Sequence, residues 1–191
     1  KATCAADAIA QAVESRWASG ATAQSQAFAR EALSELIPAA PAFVAGDADA
    51  ASATAGGSHL AGRAIDLSKT TGAHAMAYGL TKRHGISHGH AVAVTLGAFA
   101  RAHAEAAARR PDLMAVLDDI AELIGAADAS SVGDRLDDLA TTMGLQLRLS
   151  DLGVPRTDIP VLAGAVNVER LGNNPVPFTT SGLAELLNTC W

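Results

Sequence analysis

No segment of this 191-residue sequence alternates convincingly between apolar and polar residues, whereas apolar residues recur at helical spacing along most of it. The clearest run is Leu113, Val116, Leu117, Ile120, Leu123 and Ile124, opened by Pro111 and stopped by Gly125. The pattern predicts an all-α helical bundle. Composition agrees, with 49% apolar residues but only 4% aromatic ones. Alanine supplies much of the difference; it is the best helix former and a poor strand former. The chain is long enough to bury a substantial core, and we expect a single helical domain over residues 1–191.

In order, a first helix capped by Thr3 carries Ala6, Ile9, Ala10, Val13 and Trp17 and stops at Gly20. A second is expected over 22–37, ended by Pro38 and Pro41. Residues 48–66 read as a small-residue helix in which Gly56-Gly57 marks either tight packing or a break. A polar connector, DLSKTT, leads to the central pair of helices. Further helices are expected from Ser130 or Ser131 to Gly144, as a short pair over 155–168, and after Thr179 or Thr180; NNPVPF reads as a loop. The abrupt helical start suggests a piece of a longer protein.

A net charge of −6 offers phosphates no basic surface, which argues against nucleic acid. No apolar run reaches membrane-spanning length and KATCAADAIA has no signal-peptide core, so we expect no membrane association. Cys4 and Cys190 form neither a CxxC pair nor a disulfide framework, and a reducing cytoplasm is the default.

The stretch GAHAMAYGLTKRHGISHGHAVAV (72–94) holds four of the six histidines. His74 and Tyr78 lie four apart and share a helix face. Gly85-Ile86-Ser87 then turns the chain and places His88 at the start of the next helix. The two helices can aim His74 and His88 at one point. On the first helix Asp7 and Gln11 project together, also four apart. Carboxylate, amide and two imidazoles converging would suit a divalent transition metal. Each residue also has a plain structural reading, such as a helix-dipole aspartate or a hydrogen-bonded histidine. Spacing alone leaves both open. His84, beside Lys82 and Arg83, reads as a solvated surface residue, and His59 and His103 as structural.

The sequence resembles, end to end, the C-terminal helical half of the iron-containing (group III) alcohol dehydrogenase family. DAIAQAVESRWAS resembles the family's opening helix, HLAGRAI its middle helix, and His74 to His88-Gly89 its H-x13-H-G signature. LRLSDLGVPRTDIPVL and NNPVPFT resemble its tail. The resemblance implies metal ligands at Asp7, His74 and His88, with Gln11 where the family carries a further histidine. It implies a divalent metal, Fe2+ or alternatively Zn2+, and NAD(P)H held mainly by an N-terminal α/β domain. No glycine-rich cofactor loop or βαβ pattern occurs here. This chain alone is therefore expected to be inactive.

Tyr78 stands where many members have a histidine near the substrate, and His90 reads as a relay member or a structural residue. The wording SKTTGAHAMAYGLTKRHGISHGHAVAV is similar to the phosphonoacetaldehyde reductase branch, which reduces that aldehyde to 2-hydroxyethylphosphonate. An anionic substrate would suit Lys69, Thr70 and Arg63, a cation and hydroxyls at a helix start with a second cation behind. The resemblance further implies a small aldehyde or alcohol substrate and a homo-oligomer. Three alternatives stay open: a dehydroquinate synthase-like metalloenzyme, a metal-free reductase branch, and a non-catalytic helical module.

Overall fold

The computed structural model describes residues 1–191 and contains ten α-helices and no strand. They are α1 (Ala2–Trp17), α2 (Ala23–Ala45), α3 (Ala48–Ser68), α4 (Gly72–His84) and α5 (His88–Ala107). The rest are α6 (Pro111–Ile124), α7 (Val132–Thr142), α8 (Ile159–Gly164), α9 (Val168–Gly172) and α10 (Thr180–Thr189). The helical periodicity is thus realised throughout. No helix is long and apolar enough to cross a membrane.

Fifty buried residues form one connected apolar cluster. The first helix lies at its centre, packed against α2, α3, α5 and α6. The fifth touches α1, α4, α6, α7 and α10, so it joins the two ends of the chain. Short α9 rests on α4.

The ends of several elements differ from the sequence-based expectation. The first helix begins at Ala2 without a side-chain cap, so Thr3 lies inside it. The second runs on through Pro38 and Pro41 to Ala45 and closes on Gly46, which takes a left-handed conformation. Each proline removes one backbone donor. The helix survives because Leu33, Leu36, Ala39 and Ala40 stay buried, so packing outweighs the lost bonds. The Gly56-Gly57 pair marks tight packing rather than a break. A Cβ on Gly57 would stand 2.7 Å from Leu36 Cγ, and α2 and α3 therefore pack at close range.

The connector is shorter than expected, since α3 extends to Ser68. Lys69 follows at φ 62°, ψ 173°, a region used almost only by glycine that costs about 1–3 kcal/mol for other residues. The last helix, α10, is capped as the sequence suggested: Thr179 Oγ1 accepts the Gly182 amide.

Candidate metal centre

Three helix segments meet at the centre. The first contributes Asp7, Gln11 and Glu14, which lie at i, i+4 and i+7 and so face one way. The fourth contributes His74 and Tyr78, and the fifth opens with His88. Between the last two, Gly85 at φ 68° ends α4 in a left-handed cap and reverses the chain. Gly89 then allows α5 to sit directly on α1. Any Cβ there would fall on the Thr3 carbonyl oxygen and stand 2.9 Å from Asp7 Cβ.

The result is a cluster of Asp7, His74 and His88 whose ligand atoms all lie within 4.8 Å of one another. Asp7 Oδ1 is 3.4 Å from His74 Nε2 and 3.7 Å from His88 Nε2. Asp7 Oδ1 and His74 Nε2 are both buried without a hydrogen-bond partner. Buried polar atoms without partners are costly, and here they point at shared space. Two imidazoles and a carboxylate suit zinc or ferrous iron. Bonds of about 2.0–2.2 Å would set tetrahedral ligand atoms roughly 3.5 Å apart, close to the spacing found. The residues present fit a divalent transition metal.

Glu14 completes the arrangement and was not singled out in the sequence. It is fully buried, and its Oε2 lies 2.6 Å from His74 Nδ1. Its carboxylate also accepts the Thr71 and Ala73 amides, at 3.0 and 2.8 Å, and the Thr71 hydroxyl at 2.8 Å. Burial pushes Glu14 up, but the His74 ring and these hydrogen bonds outweigh it and hold it below the usual carboxylate range. With Glu14 on Nδ1, His74 presents Nε2 to the cluster, as a metal-bound histidine backed by a carboxylate does. Without a metal, burial disfavours the His74 cation, yet Glu14 and Asp7 raise its pKa to about 9. His88 moves the other way. Burial lowers it, and the His74 and Arg170 charges add to that against the pull of Asp7. A helical sequence signal for Glu14 existed, seven positions after Asp7, but a lone glutamate on an alanine-rich helix reads as solvent-facing.

The other expected site residues fall in different places. Gln11 reaches the cluster through Asp7, donating its amide N–H to Oδ2 at 3.0 Å. Tyr78 is 47% exposed, with its ring centre 5.8 Å from that of His88. His90 points away and binds the Gln146 carbonyl at 2.6 Å. Thr70 is buried and accepts an N–H from Arg170. Lys69 extends to the Asp66 carbonyl at 2.7 Å. Arg63 stacks on Phe28, its guanidinium carbon 3.9 Å from the ring centre. His84 is mostly covered and lies 3.4 Å from Asp158, rather than being a solvated surface residue. His59 is exposed, whereas His103 is buried with Nε2 3.0 Å from the Asn174 amide nitrogen.

This fold and polar cluster define a class of protein, a helical domain whose carboxylate and imidazoles converge in an arrangement fitted to a divalent metal. Residues 1–191 match the model described as "Fe-containing alcohol dehydrogenase family, C-terminal", and the chain belongs to that family. It is 34% identical over 195 residues to phosphonoacetaldehyde reductase of Streptomyces viridochromogenes, covering 95% of this chain and 47% of that protein. It is 29% identical to lactaldehyde reductase of Escherichia coli K12, covering all of this chain and 51% of the other. A crystal structure of sulfoacetaldehyde reductase from Bifidobacterium kashiwanohense in complex with NAD+ superposes with a TM-score of 0.88 at 30% identity. That match covers 99% of this chain and 49% of the other. The chain thus spans about half the length of the relatives it matches. Family membership places it with the alcohol dehydrogenases rather than with the dehydroquinate synthase-like alternative.

Proposed function

We propose that this chain is the metal- and substrate-binding half of an NAD(P)H-dependent aldehyde reductase, a single helical domain completed by a nucleotide-binding half. The observation that carries the reading is the convergence of Asp7, His74 and His88, with two buried ligand atoms left without partners. Fe2+ suits the two-histidine, one-carboxylate set, and Zn2+ is the alternative. Phosphonoacetaldehyde is the preferred substrate in this reading, supported by the resemblance of residues 68–94 and the 34% identical relative.

When bound, the metal would polarise the aldehyde carbonyl as a Lewis acid and the nicotinamide would supply hydride. This chain's residues do the rest. Glu14 fixes the His74 ring so that Nε2 faces the cluster, and Gln11 holds Asp7 through Oδ2. An amide coordinates a metal through its oxygen, so a ligand role for Gln11 would use Oε1 while its N–H stays on Asp7. Tyr78, exposed beside His88, offers a hydroxyl that can hydrogen-bond the substrate or pass a proton to it. His90 is tied to Gln146 and would act by bracing the start of α5.

Anaerobic reconstitution with Fe2+ or Zn2+, followed by metal analysis, tests the reading. About one metal per chain in the wild type, lost in H88A, is the expected result. A metal-independent reductase is the rival, because Gln11 stands where an imidazole would bind more strongly. A protein carrying both halves that reduces aldehydes without retaining metal would establish that rival.

A further inference from the structure

We infer that Arg170 selects an anionic substrate: its guanidinium grips a tetrahedral oxyanion, phosphonate or sulfonate, while the aldehyde end reaches the Asp7–His74–His88 cluster past Tyr78. The inference rests on the aldehyde-reductase reading and assigns the part of the site that sets the substrate class.

A cavity of about 360 Å³ is lined by Ile65, Lys69, Thr70, Glu169, Arg170 and Asn173. Arg170 is half-buried in its wall and held on two sides. Its Nη1 donates to Thr70 Oγ1 at 2.7 Å, and its guanidinium carbon lies 5.2 Å from the centre of the Tyr78 ring. Asn173 fixes the same wall by donating to the Thr70 and Ser68 carbonyls, at 3.0 and 2.8 Å.

No carboxylate lies within ion-pair distance of Arg170, a condition it shares with Arg63, Arg83, Arg109, Arg135, Arg148 and Arg156 but not with Arg16, Arg30, Arg101 and Arg110; among them Arg170 lines the cavity. A guanidinium carries five N–H donors in a planar fork suited to oxyanions. Thr70 takes one, and the rest of the fork remains available to a ligand. Tyr78 neighbours both Arg170 and His88, its ring centre 5.2 Å from the Arg170 guanidinium carbon and 5.8 Å from the His88 ring centre. A guanidinium and a cluster imidazole on one tyrosine suit a short molecule with an oxyanion at one end and a carbonyl at the other.

The neighbouring cations are less suited. Lys69 Nζ is exposed and engaged with Asp66, and Arg63 is stacked on Phe28 outside the cavity wall. Glu169 shares the lining, and with Lys69 and Arg170 it leaves a surplus of one positive charge. The strained Lys69 backbone at φ 62° turns the chain so that Thr70 meets Arg170.

A cofactor phosphate presents the same chemistry, so the test separates the two sources. The protein carrying this chain and its nucleotide-binding half, loaded with metal, is compared with R170A and R170K. In calorimetry, wild type should bind 2-hydroxyethylphosphonate more tightly than 1-propanol. R170A should weaken the phosphonate at least tenfold, and R170K should recover part of the loss, which a folding defect would not allow. In turnover, the ratio of kcat/KM for phosphonoacetaldehyde over propionaldehyde should fall about 50-fold or more in R170A.

Equal phosphonate affinity in wild type and R170A, or no phosphonate preference in wild type, overturns the inference. So does a loss confined to KM for NADPH, which assigns Arg170 to the cofactor. A wild type that reduces neither aldehyde sinks the reductase reading instead, and the calorimetric comparison still decides the role of Arg170.

Discussion

His74 and His103 are both buried in the same helical core, at 2% and 0% exposure, and burial disfavours the charged ring in each. Their pKa values nevertheless part, to about 9 for His74 and about 4 for His103. The neighbours make the difference. His74 stands between Glu14 and Asp7. His103 lies edge-on to Trp17, with ring centres 4.7 Å apart, and accepts an amide N–H from Asn174, which requires a neutral Nε2. Depth therefore does not tell the histidine of the candidate cluster from a packing one; neighbouring carboxylates do.

Removing Glu14 should break this contrast most severely. Glu14→Ala would leave His74 and the Thr71 and Ala73 amides buried without their partner. We expect about 3–5 kcal/mol of lost stability in denaturant titrations, and Zn2+ affinity about 10–100-fold weaker. A loss under 1 kcal/mol would show that Glu14 is not the counter-charge assigned here.

The other half of the contrast is open to titration. His103 has a folded pKa of about 4 against an ordinary value of 6.5. The unfolded chain therefore binds the extra proton between these values. The stabilisation is present above pH 6.5 and is lost as pH falls toward 4, roughly 3 kcal/mol in all. Unfolding free energies across this range, compared with His103→Gln, should show the variant with the shallower slope; identical slopes would contradict the neutral assignment.

Two smaller changes sharpen the metal side. Gly89→Ala forces α5 away from Thr3 and Asp7, and overpacking of this kind costs about 1–3 kcal/mol. Its Zn2+ affinity should drop with its stability, whereas an unchanged affinity would separate the cluster from this helix contact. Gln11→His supplies an imidazole in place of an amide and should tighten metal binding by about tenfold. No gain would leave Gln11 as the residue that holds Asp7.

Much of this architecture was legible from periodicity, because helices announce themselves through buried stripes such as Leu113, Leu117, Ile120 and Ile124. Helix ends were less so. Pro38 and Pro41 are strong local stop signals, and only the packing of Leu36 and Ala40 in the core overrides them. Spacing alone left the cluster open; the family resemblance picked out Asp7, His74 and His88, and the structure brings those three side chains together. Glu14 and Arg170 escaped for a shared reason. Their partners, at Thr71, His74, Thr70 and Tyr78, lie far along the chain, and no short spacing records such pairings.

The first turn of α4 has no side-chain cap of its own, and Glu14 of α1 occupies that place. Its carboxylate covers the Thr71 and Ala73 amides inside the core, so water reaches them only when α1 leaves α4. Those two amides should rank among the slowest in the chain to exchange with deuterium, on the timescale of global unfolding. Their protection then reports, amide by amide, whether α1 and α4 have assembled.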